Sequence, residues 1–251
     1  DIDRGCFSLT GFYRRRIKRI APVMLLVIGV TLVAAQILLL PQDAVTVAQS
    51  AIASLVGLAN AYFWLFQDTG YFAADVREAP LLHLWSLGVE EQFYALWPLA
   101  LIALAPWPPM RWIALAALAS FLAGSLLFAS APAFVFYMLP TRAGELLVGA
   151  LLAIAILRGH HAALKPILIL PVAAFGVVLL GVSFTLIDNR DAFPGLLALI
   201  PTIGTAALIL AGALGRNPIT CSISTPLLRW SGLVSYSAYL WHWPLIAFLR
   251  Y

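Results

Sequence analysis

The sequence predicts an all-α polytopic membrane protein: a bundle of about seven transmembrane helices with one further re-entrant or interfacial segment. Hydrophobic residues make up 63% of the chain and charged residues only 10%, and the mean hydropathy is +0.96. A soluble fold could not cover that much apolar surface, whereas a bilayer solvates it. Apolar runs of about 20 residues, the length that crosses a bilayer core, recur along the chain.

The seven expected spans follow one another along the chain with short polar interruptions. They lie near residues 20–40, 83–105, 111–129, 141–157, 166–187, 196–214 and 230–250. Fixed-period repeats and low-complexity linkers are not evident, so we expect a single membrane domain over residues 1–251. The chain begins at Asp1 and stops at Tyr251 in or just after an apolar helix, so we expect this domain to be incomplete at its N-terminus and at its C-terminus.

Orientation follows from the basic loops, because Lys and Arg concentrate on the cytoplasmic side. The segment "FYRRRIKRI" and the basic loops near 158–166 and 215–229 are expected inside, and the segments 67–80 and 188–191 outside. This arrangement allows no crossing by the eighth apolar run at 47–66, which is therefore predicted to be re-entrant or interfacial. A full crossing at 47–66, with one of the other helices miscounted, would leave the same loops on the same sides of the membrane.

Charge and cysteine content argue against several other classes of protein. The formal net charge of +4 is small and confined to loops, so nucleic-acid binding is not expected. Cys6 and Cys221 are both expected on the reducing cytoplasmic side, without metal-ligand spacing around them. We expect no metal. His160 and His161, in a basic loop, are interpreted as solvated.

An arginine cluster precedes the first apolar run. Arg15 and Arg19 are four residues apart and Arg16 and Arg19 three, so a helix brings the three guanidinium groups together. Guanidinium groups bind phosphate through paired hydrogen bonds, which suits a nucleotide or pantetheine-phosphate group arriving from the cytoplasm. An anchor to lipid headgroups is the alternative.

The segment "HLWSLGVEEQFYALW" places ionisable groups near the start of an apolar helix. Helical spacing aligns one stripe of side chains and turns Glu91 about 100° away from it. Carboxylates inside a membrane are costly and usually face a functional polar cavity. An interfacial aromatic belt is the alternative. The stripe consists of His83, Ser86, Glu90, Tyr94 and Trp97, of which His83, Ser86 and Glu90 are candidate catalytic residues.

Two further groups are candidate substrate-binding residues. In "SGLVSYSAYLWHWPL", Ser235, Tyr239 and His242 share one helix face. The alternative is a kink at Pro244, with these polar neighbours hydrogen-bonding the backbone groups that the kink frees. In "PTRAGELLVGALLA", Arg142 and Glu145 are three residues apart. A local salt bridge is the alternative for this second pair.

Taken together, "FYRRRIKRIAPVMLL", "GYF", "LLHLWSLGVEEQFYALWPL" and "VSYSAYLWHWPLI", in this order, resemble the acyltransferase 3 family of integral membrane O-acyltransferases. The resemblance extends over nearly the whole chain. It implies transfer of an acyl group, commonly acetyl from cytoplasmic acetyl-CoA, to a hydroxyl of a saccharide outside, such as lipopolysaccharide O-antigen, exopolysaccharide or peptidoglycan. The expected partners are therefore membrane lipid and a saccharide or glycolipid acceptor, and the expected location is the bacterial inner membrane.

The family motifs correspond to specific positions of this sequence. The arginine motif falls on Arg15, Arg16 and Arg19, the second motif on Trp85–Leu87 with Glu90, and the terminal motif on Tyr239–His242. The family's catalytic histidine, preceded by a basic residue in the first transmembrane helix, matches no position here. It is expected upstream, and the 251 residues alone are expected to be inactive.

On this interpretation the arginines are expected inside and Glu90, Ser86 and His83 toward the outer half of the membrane, joined by a path for the acyl donor. An upstream imidazole would act as base or acyl carrier, with Glu90 orienting it or the acceptor. A secondary transporter or flippase with a buried carboxylate, and an inactive membrane scaffold, are the alternatives.

Overall fold

The computed structural model describes residues 8–66, 79–104, 108–159, 165–188 and 193–251. In these ranges the chain is helical and contains no strand. Cys6, His160 and His161 lie outside the described residues. The α-helices, in chain order, are α1 Leu9–Leu38, α2 Pro41–Leu55, α3 Ala59–Phe66, α4 Leu84–Ala103, α5 Pro109–Leu127, α6 Pro132–Tyr137, α7 Leu139–Leu157, α8 Ile169–Leu186, α9 Leu199–Leu214, α10 Pro218–Ile223 and α11 Pro226–Arg250.

Five helical stretches in the described parts of the chain are long and apolar enough to cross a membrane. They are Leu9–Leu38, Pro109–Leu127, Pro132–Leu157, Pro166–Leu186 and Gly195–Leu214. The two other expected spans are also helical, as α4 and α11, but the glutamates of α4 and the polar side chains of α11 lower their apolar content. The all-helical membrane class is confirmed, and the count of about seven spans stays a prediction.

The region expected to be re-entrant forms two helices rather than one. A turn at Val56–Leu58 separates α2 from α3, with Gly57 in the left-handed region at φ 71°, which glycine adopts without steric cost. An interrupted helix pair of this kind neither requires nor excludes a full crossing, so the re-entrant interpretation stays a prediction.

The chain divides into two compact units. The first contains α1 to α4, Tyr137–Leu139 and the part of α11 from Val234 to Tyr251. Its longest helix, α1, is capped by Ser8, whose Oγ accepts a hydrogen bond from the Gly11 amide at 3.1 Å. This is the usual serine N-cap.

The second unit contains α5, most of α6 and α7, α8 to α10, and the start of α11. Its helices approach closely at glycines: a Cβ built on Gly176 of α8 would lie 2.7 Å from the Gly204 carbonyl oxygen of α9. A Cβ on Gly124 of α5 would lie 2.9 Å from the Cα of Gly195. Small residues at helix contacts are the usual means of packing helices in a membrane.

Candidate functional site

Three helices of the first unit enclose a polar pocket, here named the carboxylate pocket. Its volume is about 160 Å3. Glu90 provides its carboxylate, and α1, α4 and α11 each contribute charged or hydroxyl-bearing side chains. The lining residues are Arg16, Arg19, Ile20, Ser86, Leu87, Glu90, Tyr94, Tyr236 and Tyr239.

The face of α4 that lines this pocket is the one that the helical spacing predicts. Ser86, Glu90 and Tyr94 all line the carboxylate pocket. Glu91 instead lines a separate cavity on another side of α4. The two adjacent glutamates therefore line different cavities, because successive residues of a helix are about 100° apart around its axis.

Two of the three candidate arginines reach the pocket. The Arg16 guanidinium carbon lies 3.9 Å from the centroid of the Tyr94 ring, a cation–π contact. The Tyr94 hydroxyl in turn points to Glu90 Oε2 at 3.4 Å. Arg19 is exposed but lines the same pocket, whereas Arg15 does not line it and lies against Gly11 within its own helix. The three-arginine patch is thus reduced to a pair at this site.

The expectation that the arginines and Glu90 lie toward opposite membrane faces is wrong, because Arg16, Arg19 and Glu90 share one pocket. The arginines do not precede α1 but lie about two turns inside it. The Tyr13 hydroxyl of α1 donates to the Ala95 carbonyl of α4 at 2.8 Å. Since Tyr13 precedes Arg16 while Ala95 follows Glu90, α1 and α4 run antiparallel. Which end faces the cytoplasm stays a prediction.

A chain of hydrogen bonds joins α4 to α11. The Tyr239 hydroxyl donates to the His83 carbonyl at 2.7 Å and lies 2.6 Å from Ser86 Oγ. Ser86 Oγ also lies 3.2 Å from the His83 carbonyl, to which it can donate. Either hydroxyl can therefore donate in the short contact between Ser86 and Tyr239.

Two histidine rings lie beside this hydrogen-bond chain. The His83 and His242 ring centroids are 5.7 Å apart, and the Tyr239 ring lies 5.4 Å from His83 and 5.3 Å from His242. Nδ1 of His242 pairs with the Tyr239 carbonyl, so Nδ1 carries the proton in the neutral ring and Nε2 is the basic nitrogen.

His83 is 4% exposed, and neither of its ring nitrogens makes a hydrogen bond of normal geometry within the described residues. The backbone of Leu240 lies close to the ring. The predicted residues His83, Ser86, Glu90, Tyr239 and His242 are thus brought together in the first unit.

A buried amide pair positions α4 and was missed by the sequence analysis. Gln92 Nε2 donates to Asn60 Oδ1 at 2.7 Å and to the Gly57 carbonyl at 3.0 Å. Asn60, which is fully buried, donates to the Tyr137 carbonyl at 3.1 Å. A lone asparagine in the apolar run "ANAYFWLF" was the available signal, because a buried amide requires partners.

Tyr236 was also missed. Its hydroxyl donates to the Ile20 carbonyl at 2.9 Å and fixes α11 against α1 at the carboxylate pocket. The sequence placed Tyr236 three residues before Tyr239 on the last helix, a spacing that puts both side chains on one face.

Arg142 and Glu145 lie in the second unit and pair with each other. Arg142 Nη1 is 3.2 Å from Glu145 Oε1, the local salt bridge that their spacing allows. The guanidinium carbon is 5.9 Å from the Phe136 ring and 6.0 Å from the Phe193 ring. Glu145 also lines a cavity of about 300 Å3 in this unit. Their substrate role stays a prediction.

Within the described ranges, no three His, Cys, Asp or Glu side chains are grouped as metal ligands. Cys221 is a free, exposed thiol.

Comparison with known proteins gives a consistent family. The family model for the acyltransferase domain matches residues 4–251. An uncharacterized protein of Haemophilus influenzae is 33% identical over 222 residues, covering 83% of this chain and 89% of that protein. The peptidoglycan O-acetyltransferase OatA of Listeria monocytogenes is 29% identical over 263 residues, 95% of this chain but 40% of OatA.

A Bacillus subtilis protein with a provisional name as a peptidoglycan O-acetyltransferase is 33% identical over 251 residues, covering 94% of this chain and 39% of that protein. The chain therefore spans about two fifths of the length of these two peptidoglycan relatives. No solved structure matches the chain significantly. With the family model matched from residue 4 to residue 251, the chain belongs to the acyltransferase 3 family of integral membrane O-acyltransferases.

Proposed function

We propose that this protein transfers an acetyl group from cytoplasmic acetyl-CoA, or another acyl group from its CoA thioester, to a hydroxyl of a cell-envelope saccharide. The observation that carries the proposal is the carboxylate pocket, which combines Glu90, two arginines and the Ser86–Tyr239 pair in about 160 Å3. Acyl transfer from a CoA thioester needs a base or a hydrogen-bond acceptor that orients the attacking hydroxyl and cationic groups that bind the phosphates of the donor. The pocket has both kinds of group.

Each side chain has a role in this proposal. Glu90 accepts a hydrogen bond from the acceptor hydroxyl or from the imidazole that deprotonates it. Arg16 and Arg19 bind the phosphates of the donor, because guanidinium groups pair with phosphate oxygens. Ser86 is held by Tyr239 at 2.6 Å, so its oxygen stays in a fixed position beside Glu90.

The proposed acceptor is peptidoglycan, because two relatives carry names as peptidoglycan O-acetyltransferases. Lipopolysaccharide O-antigen and exopolysaccharide are the other acceptors that the resemblance to the family implies. The apolar helix surfaces face membrane lipid, which is the expected environment of a domain with five candidate spans.

Sealed inside-out vesicles containing the full-length protein test this proposal. Labelled acetyl-CoA is supplied outside, and label is followed into the glycan enclosed within. We expect transfer by the unaltered protein and a loss of transfer in Glu90→Gln. The matched control is Asp43→Asn, which makes the same carboxylate-to-amide change at a residue bonded to the Tyr251 hydroxyl at 2.9 Å and outside the pocket. Absence of label in the glycan, with native acceptor present, would contradict the proposal.

A further inference from the structure

A second, larger cavity of the first unit has no role in the acyl-transfer scheme above. This α1–α4 cavity has a volume of about 560 Å3, within the range of roughly 300–1,000 Å3 that small-molecule sites occupy. Its walls are one side of α1, the turn Val56–Leu58 and the Glu91 side of α4. Most of the lining side chains are aliphatic, among them Met24 and Leu55.

The α1–α4 cavity adjoins the carboxylate pocket. Arg16, Ile20 and Tyr94 line both spaces. Along α1 the cavity extends from Tyr13 past Arg16 to Met24. The eight residues from Arg16 to Met24 correspond to about 12 Å of helix at a rise of about 1.5 Å per residue. The cavity is therefore an elongated apolar space with a guanidinium at its junction with the reaction pocket.

Most polar groups of this cavity are already engaged. The Tyr13 hydroxyl donates to Ala95, and the Gln92 amide donates to Asn60 and Gly57. Glu91 is different: within the described residues its carboxylate makes neither a hydrogen bond nor an ion pair. The Glu91 side chain is half-buried and lines the cavity among aliphatic side chains. A ligand that enters the cavity with an N–H or O–H group therefore meets a hydrogen-bond acceptor there.

Backbone geometry leaves room for this carboxylate. Gly57 has φ 71°, and a Cβ built on it would lie 3.0 Å from Glu91 Oε2. The Gly57 carbonyl is held by Gln92 at 3.0 Å. The left-handed turn and the absent side chain at Gly57 thus let the carboxylate lie against the turn while facing the cavity.

We propose that the α1–α4 cavity binds the amide-bearing arm of an acyl-thioester donor, with Glu91 accepting a hydrogen bond from an amide N–H of that arm. This inference rests on the proposed function and specifies where its donor lies. The aliphatic walls contact the methylene and methyl groups of the arm. Its phosphate end lies toward Arg16, and its thioester end lies toward Ile20, which also lines the carboxylate pocket. A plain hydrocarbon chain would fill the apolar volume but leave Glu91 without a partner, which is why the amide-bearing arm fits better.

The test compares three donors with the full-length protein in nanodiscs. Acetyl-CoA and S-acetyl-pantetheine carry amide groups, and S-ethyl thioacetate carries none. We expect Glu91→Leu to raise KM for both amide-bearing donors by about tenfold and to leave kcat/KM for S-ethyl thioacetate unchanged. Glu91→Gln retains a carbonyl acceptor, so its KM for the amide-bearing donors should lie between those of the unaltered protein and Glu91→Leu. Equal effects on all three donors would overturn the inference and leave the proposed function intact.

A cavity-filling variant provides a second test if Glu91→Leu does not fold. Ala21→Trp places an indole in the cavity wall, whereas Leu26→Trp is the matched control on the exposed face of the same helix, at a residue 58% exposed. We expect at least a tenfold rise in KM for acetyl-CoA in the first variant and none in the second. Unchanged KM in both would mean that another occupant, such as a lipid tail, fills the cavity.

Binding can also be measured without turnover. Calorimetric titration with pantetheine, which has the amide arm but no phosphate or acyl group, should show binding that Ala21→Trp weakens by about tenfold. If the unaltered protein binds pantetheine but transfers no acyl group, the proposed function fails while the cavity assignment stands. If it transfers acetyl but pantetheine does not bind, the cavity assignment fails.

Discussion

The contact between Ser86 and Tyr239 allows a quantitative test of the site by a double-mutant cycle. Tyr239→Phe removes a hydroxyl that lies 2.6 Å from Ser86 Oγ and donates to the His83 carbonyl at 2.7 Å. The serine proton has a second acceptor, the same carbonyl at 3.2 Å. In the variant, Ser86 can therefore turn to His83, so neither group is left without a partner.

This redistribution determines the expected magnitude. A net hydrogen bond contributes roughly 0.5–1.5 kcal/mol, and a buried group left unpaired costs about 1–3 kcal/mol. Because His83 keeps one donor, we expect Tyr239→Phe to lower the free energy of unfolding by about 1–2 kcal/mol, and Ser86→Ala by about 1 kcal/mol. The double variant should lose about 1 kcal/mol more than the sum, since only there does the His83 carbonyl lose both hydroxyl donors.

The free energy of unfolding of the full-length protein is measured by SDS titration in mixed micelles, with tryptophan fluorescence as the readout. Tyr236→Phe, which removes a hydroxyl bonded to the Ile20 carbonyl, is the matched control and should be additive with Ser86→Ala. Additivity of Tyr239→Phe and Ser86→Ala within about 0.3 kcal/mol would refute the hydrogen-bond chain.

Three further substitutions test the packing, the positioning of α4 and the donor site. Gly176→Ala would place a Cβ 2.7 Å from a carbonyl oxygen of the neighbouring helix and should destabilise the protein by about 1–3 kcal/mol in the same SDS titration. Gly181→Ala, at a position with open space around it, should not destabilise it. Asn60→Leu leaves the amide it pairs with and the Tyr137 carbonyl each without that bond, so unfolding should become easier by about 2–4 kcal/mol; a loss below 0.5 kcal/mol would contradict the network. Arg16→Ala should raise KM for acetyl-CoA by at least about tenfold, since hydrogen bonds to charged groups contribute roughly 1.5–3 kcal/mol. Arg15→Ala, at a residue outside the pocket, should leave KM unchanged. Equal effects of the two substitutions would favour the lipid-anchor interpretation.

The face of α4 could be predicted from sequence because it depends only on local geometry. A helix of 3.6 residues per turn separates Glu90 from Glu91 wherever that helix lies, and the structure places them in different cavities. The salt bridge between Arg142 and Glu145 is local in the same sense, because i and i+3 residues are neighbours on any helix.

The assembly of the carboxylate pocket depends on contacts between distant segments and could not be predicted in this way. Arg16 and Glu90 are brought together because α1 and α4 are antiparallel and meet at Tyr13 and Ala95, next to the carboxylate pocket. The positive-inside rule gives only the side on which a loop lies. It does not give the depth of side chains already inside a helix, and so it placed the arginines and Glu90 too far apart.

Hydropathy had a related limit at the functional helices. The residues that line the site, among them Glu90 and Tyr239, reduce the apolar content of α4 and α11. These two helices therefore lack the span signature that the five more apolar stretches carry. A functional membrane helix is weaker in hydropathy because its polar residues face partners rather than lipid.

The most direct test of the central claim is the single-turnover rate of acyl transfer by Glu90→Gln in the full-length protein, compared with the unaltered protein at equal abundance in the membrane. Glutamine keeps the size of the side chain and its place in the carboxylate pocket but does not carry the negative charge. Glu90 holds the attacking hydroxyl, or the imidazole that deprotonates it, in position for proton transfer. Because a correctly positioned proton transfer contributes about 10²–10⁴-fold, we predict a rate at least about a hundredfold lower. A rate within twofold of the unaltered protein would contradict it.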